Sequence, residues 1–550
     1  MAVDGIVQGS RPRDLLPASL DQLVLGARVY SNAPPPPWVQ GFLEGEIAEA
    51  LFYERALSDE ESAQVISHLK RKQGPLLDGL AFRRDLGETA GDASRVKLVP
   101  ETPGGADGPA VEILVPGFEV KELPLELRNV NNLRYRTSPD DEAAAPTLVA
   151  LSYDGRILLL RDSDGDELED DVSVFWDRPT LRAPIGMALT PPGYRHGFGV
   201  FVASKGKLSL IVDKDGDDRA DDEIIVATGW PELPHGVDTL GVAVGRDESI
   251  YFGLGCTNYT NAYLIDPRTK KAGYRLDSER GTILRVSPDF SRREIVCTGI
   301  RFPVGLAFNR HGDLFATDQE GETWLPGGNP RDELLHILPA RHYGFPPRHA
   351  EHLPDVVDEP SVFDYGPQHQ STCGLVFNEP EEGRPSFGPA HFAGNVFVAG
   401  YSRGIIYRTQ LHRRDGDPAR YTARTSLFAR LGLLTVDACL SPRGDLVVAT
   451  HSGGPDWGSG PQGEGKLFRI RHVDREAPQP IAAWAESPLE TRVTFDRPIS
   501  PESIDELDVE ITYGDAVRAA DRFEVHRPPY EVVVAQLEAP RYRLPVEGTT

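Results

Sequence analysis

The stretch that decides the fold is RFPVGLAFNRHGDLFATDQEG at residues 301–321, followed by DELLHILPARHYGFP at residues 332–346. Apolar runs at 304–308 and 314–317 are separated by the turn residues His311-Gly312-Asp313. The second segment begins with a third apolar run. Short apolar runs broken by Gly and Asp turns are typical of antiparallel strands, so this stretch predicts one small sheet.

The same pattern recurs between residues 147 and 472, which predicts a repeated fold. Each unit has an apolar strand, a Gly/Asp turn, a second apolar strand, a loop and a strand that ends in a base. The six units lie at 148–160; 185–204; 240–255 with 281–286; 304–318 with 333–338; 373–378 with 394–411; and 436–454 with 465–470. Repeats of this length are typical of propeller blades, and ring closure removes free sheet edges. We therefore predict a mainly β protein with a six-bladed β-propeller at residues 120–472.

The residues outside the repeats predict flanking, partial β-sandwich domains. Residues 1–73 are expected to form the C-terminal part of a jelly roll, in which Ser58 and Glu61 form a capping box that opens a helix. Residues 74–119 are expected to be a linker. Residues 473–550 contain a Pro-rich link and short strand-like runs, which favour a small, incomplete β-sandwich.

The composition argues against two classes of protein. The chain of 550 residues has 84 acidic and 58 basic residues and a net charge of −26, so nucleic acid is not an expected partner, because phosphate binding needs a basic surface. No apolar run is long enough to predict a membrane span in this chain. The cysteines are far apart and are interpreted as buried thiols rather than as a zinc or haem motif: Cys256, Cys297, Cys373 and Cys439.

Two acidic loops are candidate calcium sites. DSDGDELEDD occupies residues 162–171 and DKDGDDRADDE occupies residues 213–223, each at the tip of a predicted hairpin. Alternate Asp residues around a Gly allow several carboxylates to point inward, and Ca²⁺ takes about six to eight oxygens. The candidate ligands are Asp162, Asp164, Asp166 and Asp170 in the first loop and Asp213, Asp215, Asp217 and Asp221 in the second. A solvated acidic turn is the alternative interpretation.

Polar residues at the ends of the units are candidates for a shared site, because propeller loops converge at the mouths of the channel. They are His235, Arg301, Asp318, Gln319, Glu320, Gly321, His369, His451 and Asp456. Each of these residues alone is more often structural than catalytic. Their recurrence at equivalent loops favours one site.

Several of these phrases carry a family resemblance. RFPVGLAF at 301–308, DEL at 332–334 and HYGFP at 342–346 resemble phrases of the soluble glucose/sorbosone dehydrogenase family, whose six-bladed propellers oxidise sugars with pyrroloquinoline quinone (PQQ) and calcium. The acidic hairpins and THSGGPDWGSGPQGEGKLFRI at 450–470 are similar to planctomycete-type membrane-bound dehydrogenases. GEIAEALFYERALSDEE at 45–61 resembles the end of a concanavalin A-like, laminin-G-like domain.

The resemblance implies a PQQ-type, calcium-dependent sugar (aldose) dehydrogenase. His235 would be the general base that takes a proton from a sugar hydroxyl while hydride passes to the quinone, and Arg301 would hold or polarise the cofactor. The further candidates are Arg403 and His451 for the cofactor and Gln319 and Gly321 for the catalytic calcium. The resemblance also implies a sugar or polysaccharide substrate, an electron-acceptor protein, and a periplasmic or extracellular location. Since the chain begins without a signal peptide, a truncated start is expected.

Two other readings of the sequence remain open. The first is a non-catalytic propeller that binds carbohydrate or protein, for which a lectin-like N-terminal piece is equally suitable. The second is a hydrolase of the lactonase propeller type, which would need several Asn, Asp or Glu ligands for calcium at the channel axis.

Overall fold

The computed structural model describes most of the repeated region and parts of the flanks. The described residues are 58, 60–68, 111–136, 146–233, 237–258, 264–320, 331–346, 356, 358–365, 370–380, 383–414, 417–452, 463–487 and 490–499. Short strands that pair in small two- and three-stranded sheets are also described, at Ala2–Val3, Ile6–Val7, Arg28–Tyr30, Trp38–Gln40, Lys97–Leu98, Thr512–Tyr513 and Tyr542–Arg543.

Six antiparallel sheets follow one another along the chain as the blades of a propeller, which confirms the predicted fold class. From the channel outward, blade 1 contains Val130–Arg136, Thr147–Ser152, Ile157–Arg161 and Asp171–Trp176, and blade 2 contains Met187–Leu189, Phe198–Ser204, Lys207–Asp213 and Asp222–Thr228. Blade 3 contains Thr239–Val244, Ile250–Leu254, Thr282–Val286 and Arg293–Thr298, and blade 4 contains Pro303–Phe308, Leu314–Asp318, Asp332–Ile337 and Phe363–Tyr365. Blade 5 contains Thr372–Phe377, Val396–Gly400, Ile405–Arg414 and Asp417–Leu431, and blade 6 contains Leu434–Leu440, Leu446–His451 and Leu467–His472.

The first strands of neighbouring blades contact one another around a closed ring. Two strands from before the repeats complete it. Phe118–Glu122 pairs with the third strand of blade 6, and Val111–Ile113 pairs with the outer strand of blade 5. The propeller sheets therefore begin before the predicted boundary at residue 120, inside the segment predicted as a linker. Phe118 stacks among Phe387, Phe392 and Phe428, so this early strand also contributes to the core.

Blade 1 differs from the predicted first unit. The unit at 148–160 supplies the second and third strands of this blade, and its innermost strand is Val130–Arg136. The polar pair Asn131-Asn132 hides this strand from a search for apolar runs, although both side chains are buried.

Apolar side chains fill the space between neighbouring blades. Both faces of an inner strand meet another blade, so buried strands have continuous apolar runs instead of alternating ones. In blade 1 the run Ile157-Leu158-Leu159-Leu160 is buried throughout. Its two faces pack in different clusters, with Leu159 in the cluster of Val200 and Val202 of blade 2 and Leu160 in the cluster that includes Val447 and Ala449 of blade 6.

The first strands share a position where the backbones approach closely. Four blades have glycine there: Gly186, Gly241, Gly305 and Gly374. The pairing register shifts beside this position in blades 3, 4 and 5, as expected for a β-bulge. At Gly374 an added Cβ would lie 2.8 Å from the Asp437 Cα, so glycine is required for the contact between blades 5 and 6.

Blades 6 and 1 have Asp437 and Asn132 at this position, and the two side chains join the ends of the ring. Oδ2 of Asp437 accepts hydrogen bonds from Asn132 Nδ2 at 3.2 Å, from the Leu133 backbone at 3.0 Å and from Arg134 Nη1 at 2.8 Å. Oδ1 of Asn132 accepts from the Gly186 backbone at 2.9 Å, which carries the connection on to blade 2. Because the Asp437 side chain is fully buried, these bonds form away from solvent.

The flanks are described only in part. A helix at 60–68 follows the predicted capping box, in which the Ser58 backbone donates to Glu61 and the Glu61 backbone donates to the Ser58 hydroxyl. Pro480–Ser487 and Glu490–Phe495 form a hairpin. The remainder of the predicted jelly-roll piece, linker and C-terminal sandwich lies almost entirely outside the described residues. Within the described part of the chain, no helix combines the length and apolar content of a membrane span.

Replacing Asp437 by Ala is expected to lower the free energy of unfolding by about 3 kcal/mol, because it removes a buried carboxylate and leaves its donors without an acceptor. Asp437→Asn keeps one carbonyl oxygen and should cost less. Asp154→Ala, which breaks an exposed ion pair with Arg156, is the control and should cost under about 0.5 kcal/mol. Urea unfolding measures the free energy of unfolding of all three variants. Equal effects of Asp437→Ala and Asp154→Ala would contradict the role of Asp437 in joining blades 6 and 1.

Candidate active site at the channel mouth

The antiparallel order of blade 4 brings three polar segments to one end of the ring. Pro303 opens the first strand opposite Asp318, which ends the second strand. Asp318 in turn lies opposite Glu333, at the start of the third strand. The residue before this first strand pair, Arg301, therefore lies beside Asp318 at the same mouth of the channel. The loops between the second and third strands of the other blades lie at this end too.

Arg301 is held between a carboxylate and a carbonyl. Its backbone and that of Phe302 donate to the two oxygens of Asp318, at 2.8 and 2.6 Å. Its guanidinium Nη1 donates to the Gln319 carbonyl at 2.6 Å. The side chain is buried, so its orientation is fixed by these bonds and not by solvent.

Asp332 joins blade 4 to blade 5 at this mouth. Its Oδ1 accepts from the Glu320 backbone at 2.9 Å, and its Oδ2 accepts from the Thr372 backbone at 3.0 Å. Gln319 makes a parallel connection, since its Nε2 donates to the Thr372 carbonyl at 3.0 Å and to the Cys373 sulfur at 3.3 Å. The two blades therefore share one buried polar network.

The network continues through blade 5 to blade 6. The Tyr401 backbone donates to the Ser371 carbonyl, and its hydroxyl lies 3.2 Å from Nδ1 of His451. Ser402 donates to the Ser371 hydroxyl at 2.8 Å. Three successive blades thus contribute side chains to one mouth of the channel.

Burial keeps the acidic groups of this network from ionising freely. Desolvation raises the pKa of Asp318 to about 6, against the hydrogen bonds from Arg301 and Phe302 and the guanidinium charge. Desolvation, and next the Asp318 charge, raise the pKa of Glu320 well above its usual value. The pKa of Glu333 is raised for the same reason, with Glu320 as its first charged neighbour. Among the described residues of this cluster, several acidic groups surround one buried guanidinium, that of Arg301.

The described residues suit a bound cation at this cluster. Oε2 of Glu320 is buried and has no hydrogen-bond partner within the described part of the chain. An unpaired carboxylate oxygen in a buried site is costly, and a hard cation with oxygen ligands removes that cost. For an anionic cofactor, Arg301 and the half-buried Arg403 provide guanidinium groups at the same mouth, with Arg403 on the 3₁₀ turn Tyr401–Arg403. The sequence alone assigned Glu320 and Asp332 no specific role. The signal that could have indicated Asp332 is the phrase DEL at residues 332–334.

Some of the predicted site residues lie together at the channel mouth, whereas others are buried between blades or lie outside the described residues. Arg301 and Gln319 lie together, and Arg403 lies on the adjoining blade 5. His451 is fully buried against Tyr401, so its ring faces the packing between blades. His235 and Gly321 lie outside the described residues, as do His369 and Asp456. The predicted approach of His235 to Arg301 therefore stays a prediction.

The segment that carries His235 is anchored on both sides. After it, Asp238 is fully buried and accepts from Arg280 Nη2 at 3.0 Å and from the Gly206 backbone at 3.1 Å. Before it, the carbonyl of Pro231 accepts from the same guanidinium group. Arg280 thus fixes the two ends of this loop against blade 2 and blade 3.

The two acidic hairpins have the same internal geometry. Asp162 accepts from the backbones of Gly165 and Glu167. The equivalent Asp213 accepts from Gly216 and Asp218, and the carboxylates of Asp170 and Asp221 close the two loops in the same way. The carboxylate oxygens that lie within 4.8 Å of one another belong to Asp162, Asp164 and Asp166 in the first loop and to Asp213, Asp215 and Asp221 in the second. Of the predicted ligands, Asp170 instead places both oxygens on Ser163, and Asp217 lies outside the second group.

Each hairpin also contacts the preceding blade. Glu167 and the equivalent Asp218 have positive φ values of 71° and 66°. Glu167 pairs with Arg471 of blade 6, and Asp218 accepts from Arg161 of blade 1 at 2.7 Å. The hairpins are therefore interblade contacts as well as carboxylate clusters.

The pKa of His451 provides a test of the packing at the mouth. Burial lowers this pKa to about 4. The unfolded chain, with a His pKa of about 6.5, then binds more protons between these two values, so the stability is present above pH 6.5 and is lost as the pH falls toward 4. His451→Gln should remove this part of the pH dependence, up to about 3 kcal/mol.

Urea unfolding at pH 7 and pH 4.5 measures the effect. His68→Gln, at an exposed position of the helix at 60–68, is the control and should follow the unsubstituted protein. Parallel pH dependence of His451→Gln and the unsubstituted protein would contradict the burial of a neutral imidazole.

The chain is similar to one family model and to several solved structures. A family model described as a domain of unknown function, DUF7133, matches residues 134–373. No curated protein is similar in sequence. An oxidoreductase (glucose dehydrogenase) of Thermus thermophilus shares 22% identity over 64% of this chain and 100% of its own, with a TM-score of 0.48. The PQQ-bound aldose sugar dehydrogenase of Streptomyces coelicolor shares 18% identity over 65% of this chain and 99% of its own, with a TM-score of 0.46. The PQQ domain of pyranose dehydrogenase from Coprinopsis cinerea shares 13% identity over 66% of this chain and 97% of its own, with a TM-score of 0.47.

Proposed function

We propose that this protein is a quinone-dependent sugar dehydrogenase that uses PQQ and calcium at the channel mouth. The observation that carries the proposal is the buried network in which Arg301, Asp318, Glu320 and Asp332 converge where three blades meet. The resemblance of the phrases around Arg301 and Asp332 to the glucose/sorbosone dehydrogenase family supports the same activity.

The acidic residues of the mouth are suited to hold the catalytic cation. Glu320 presents a buried oxygen without a partner among the described residues, and Asp318 and Asp332 are oriented by backbone donors. The predicted carbonyl ligands at Gln319 and Gly321 belong to the same loop. Because the Gln319 carbonyl accepts from Arg301, the guanidinium positions this loop relative to the cofactor side of the mouth.

The chemistry divides between the residues and the quinone. The chemistry that bound PQQ would supply is that of a two-electron acceptor for hydride from the sugar carbon. His235 takes the proton of the sugar hydroxyl, for which a neutral imidazole near pH 7 is suited. Arg301 and Arg403 bind the anionic groups of the cofactor, and the burial of Arg301 places its guanidinium where water is excluded. His451 acts through Tyr401 by positioning blade 5.

The activity is tested by reconstitution of the full chain with PQQ and CaCl₂, followed by reduction of an electron-accepting dye with D-glucose, D-galactose, D-xylose and maltose. Dye reduction should require both PQQ and calcium. His235→Gln should lower kcat by about 100-fold or more, the usual contribution of a general base. His68→Gln is the matched control and should leave the rate unchanged.

Two outcomes would contradict the proposal. Absence of PQQ-dependent dye reduction in a folded, calcium-loaded protein that still binds sugar would select the non-catalytic carbohydrate-binding propeller. Hydrolysis of a sugar lactone without PQQ, at a rate lost with Glu320→Gln, would select the lactonase type.

Calcium binding by the hairpins is part of the proposal and has its own test. EDTA should lower the thermal midpoint by about 3 °C or more, because a ligand that binds the folded state stabilises it. Asp213→Asn should make the midpoint less sensitive to EDTA. Asp289→Asn is the control, since Asp289 lies in the corresponding hairpin of blade 3 and bonds Ser287 and Ser291 without an acidic cluster. A midpoint that EDTA does not change would instead favour a solvated acidic turn.

A further inference from the structure

A cavity of about 440 Å³ lies between blades 4 and 5, at the end of the ring opposite to the channel mouth. It is lined from blade 4 by the turn after the first strand and from blade 5 by strands and the 3₁₀ turn Ala390–Phe392. We propose that this cavity binds a neutral saccharide unit, at a site separate from the proposed catalytic centre. The inference does not depend on the dehydrogenase activity.

Asn395 is the first reason. Its side chain is buried, and its Nδ2 donates to the carbonyls of His391 at 3.0 Å and Ala393 at 3.2 Å. Its Oδ1 is buried without a hydrogen-bond partner among the described residues. Because this oxygen has almost no exposed surface, a ligand hydroxyl can donate to it only after the Asn395 side chain rotates toward the cavity, which would give the buried acceptor a partner.

His391 supplies the complementary donor. Its Nε2 lies 3.2 Å from Nη1 of Arg408, which can only donate, so Nε2 is the acceptor and the proton sits on Nδ1. Burial and then the Arg408 charge lower the pKa of His391, which keeps the ring neutral. Gln410 also lines the cavity, and its amide brings a donor and an acceptor together. Paired donors and acceptors are the groups that recognise vicinal hydroxyls.

The two arginines that line the cavity, Arg310 and Arg413, each lie beside a carboxylate, which favours a neutral ligand over an anion at their side of the cavity. The Arg310 backbone donates to Glu379 at 2.6 Å, and its guanidinium lies 3.7 Å from the same carboxylate. Arg413 pairs with Asp313 at 2.6 Å. Neither guanidinium is left as a free charge for phosphate or a carboxylate.

Aromatic side chains complete the lining. Phe377 and Tyr421 both face the cavity, and Tyr421 is held by hydrogen bonds from Asn309 and Arg413, each at 2.9 Å. A rigid aromatic wall beside a few polar groups matches a sugar ring, which has apolar C–H faces and a polar edge. The volume is in the range of small-molecule pockets.

Saturation-transfer NMR and calorimetry on the full chain test the site, with D-glucose and maltotriose as neutral probes and glucose 6-phosphate as the anionic probe. Gln410→Ala should weaken binding of a neutral probe about tenfold, which is about 1.4 kcal/mol. Ala393→Trp should fill the cavity and abolish binding. Arg156→Gln, on the distant blade 1 where Arg156 forms an exposed ion pair with Asp154, is the control and should bind as the unsubstituted protein does.

Each outcome decides the inference. Binding of a neutral probe that Gln410→Ala weakens and Ala393→Trp removes, with unchanged circular dichroism, supports it. Binding of glucose 6-phosphate alone overturns the assignment to neutral sugars. Absence of binding, or binding that both variants retain, overturns the site. His235→Gln separates the two ends of the ring, since it should abolish dye reduction and leave this binding intact.

Discussion

The hydrogen bonds to the Asp437 carboxylate are the interaction on which the closed ring depends. Four inner strands meet through glycine, where backbones can approach because no Cβ intervenes. Between blades 6 and 1 the inner strands are joined by a side chain instead. One oxygen of the Asp437 carboxylate accepts hydrogen bonds from Asn132, the Leu133 backbone and Arg134. The last blade is also completed by a strand from the start of the propeller region, so the junction of blades 6 and 1 is secured at its inner and outer strands.

The channel mouth can be buried and polar because neighbouring blades satisfy one another's polar groups. Asp332 of blade 4 is satisfied by the Thr372 backbone of blade 5, and Tyr401 of blade 5 is satisfied by His451 of blade 6. These bonds cross from one blade to the next. Separating blade 5 from blade 4 or from blade 6 would remove these partners, which costs about 1–3 kcal/mol for each buried group left unpaired. Formation of the site therefore depends on the packing of blade 5 between blades 4 and 6.

The fold could be predicted from the sequence because blades repeat a local pattern, and local patterns need no partner to be recognised. The hairpins at Asp162 and Asp213 could be recognised for the same reason. Their equivalent hydrogen bonds follow from their similar local sequences. The inner strand of blade 1 was missed because Asn131 and Asn132 are polar, and their burial depends on Pro184 and Gly186 of blade 2. The network around Glu320 likewise depends on contacts between distant residues, which no spacing rule reveals.

The channel mouth and the cavity between blades 4 and 5 differ in how their charged side chains are compensated. This difference is the reason that we propose different ligands for the two sites. Arginines of blades 1 and 6 are paired with Asp218 and Glu167 of the acidic hairpins, and these pairs lie at the end of the ring opposite to the channel mouth. At the channel mouth, Arg301 lies beside several buried acidic groups, and these groups are the basis for proposing a cation there. In the cavity between blades 4 and 5 the guanidinium groups of Arg310 and Arg413 each have a carboxylate, and the rest of the lining includes amides, an imidazole and aromatic rings. A neutral sugar needs no compensating charge, so the cavity between blades 4 and 5 is suited to bind a sugar without a metal.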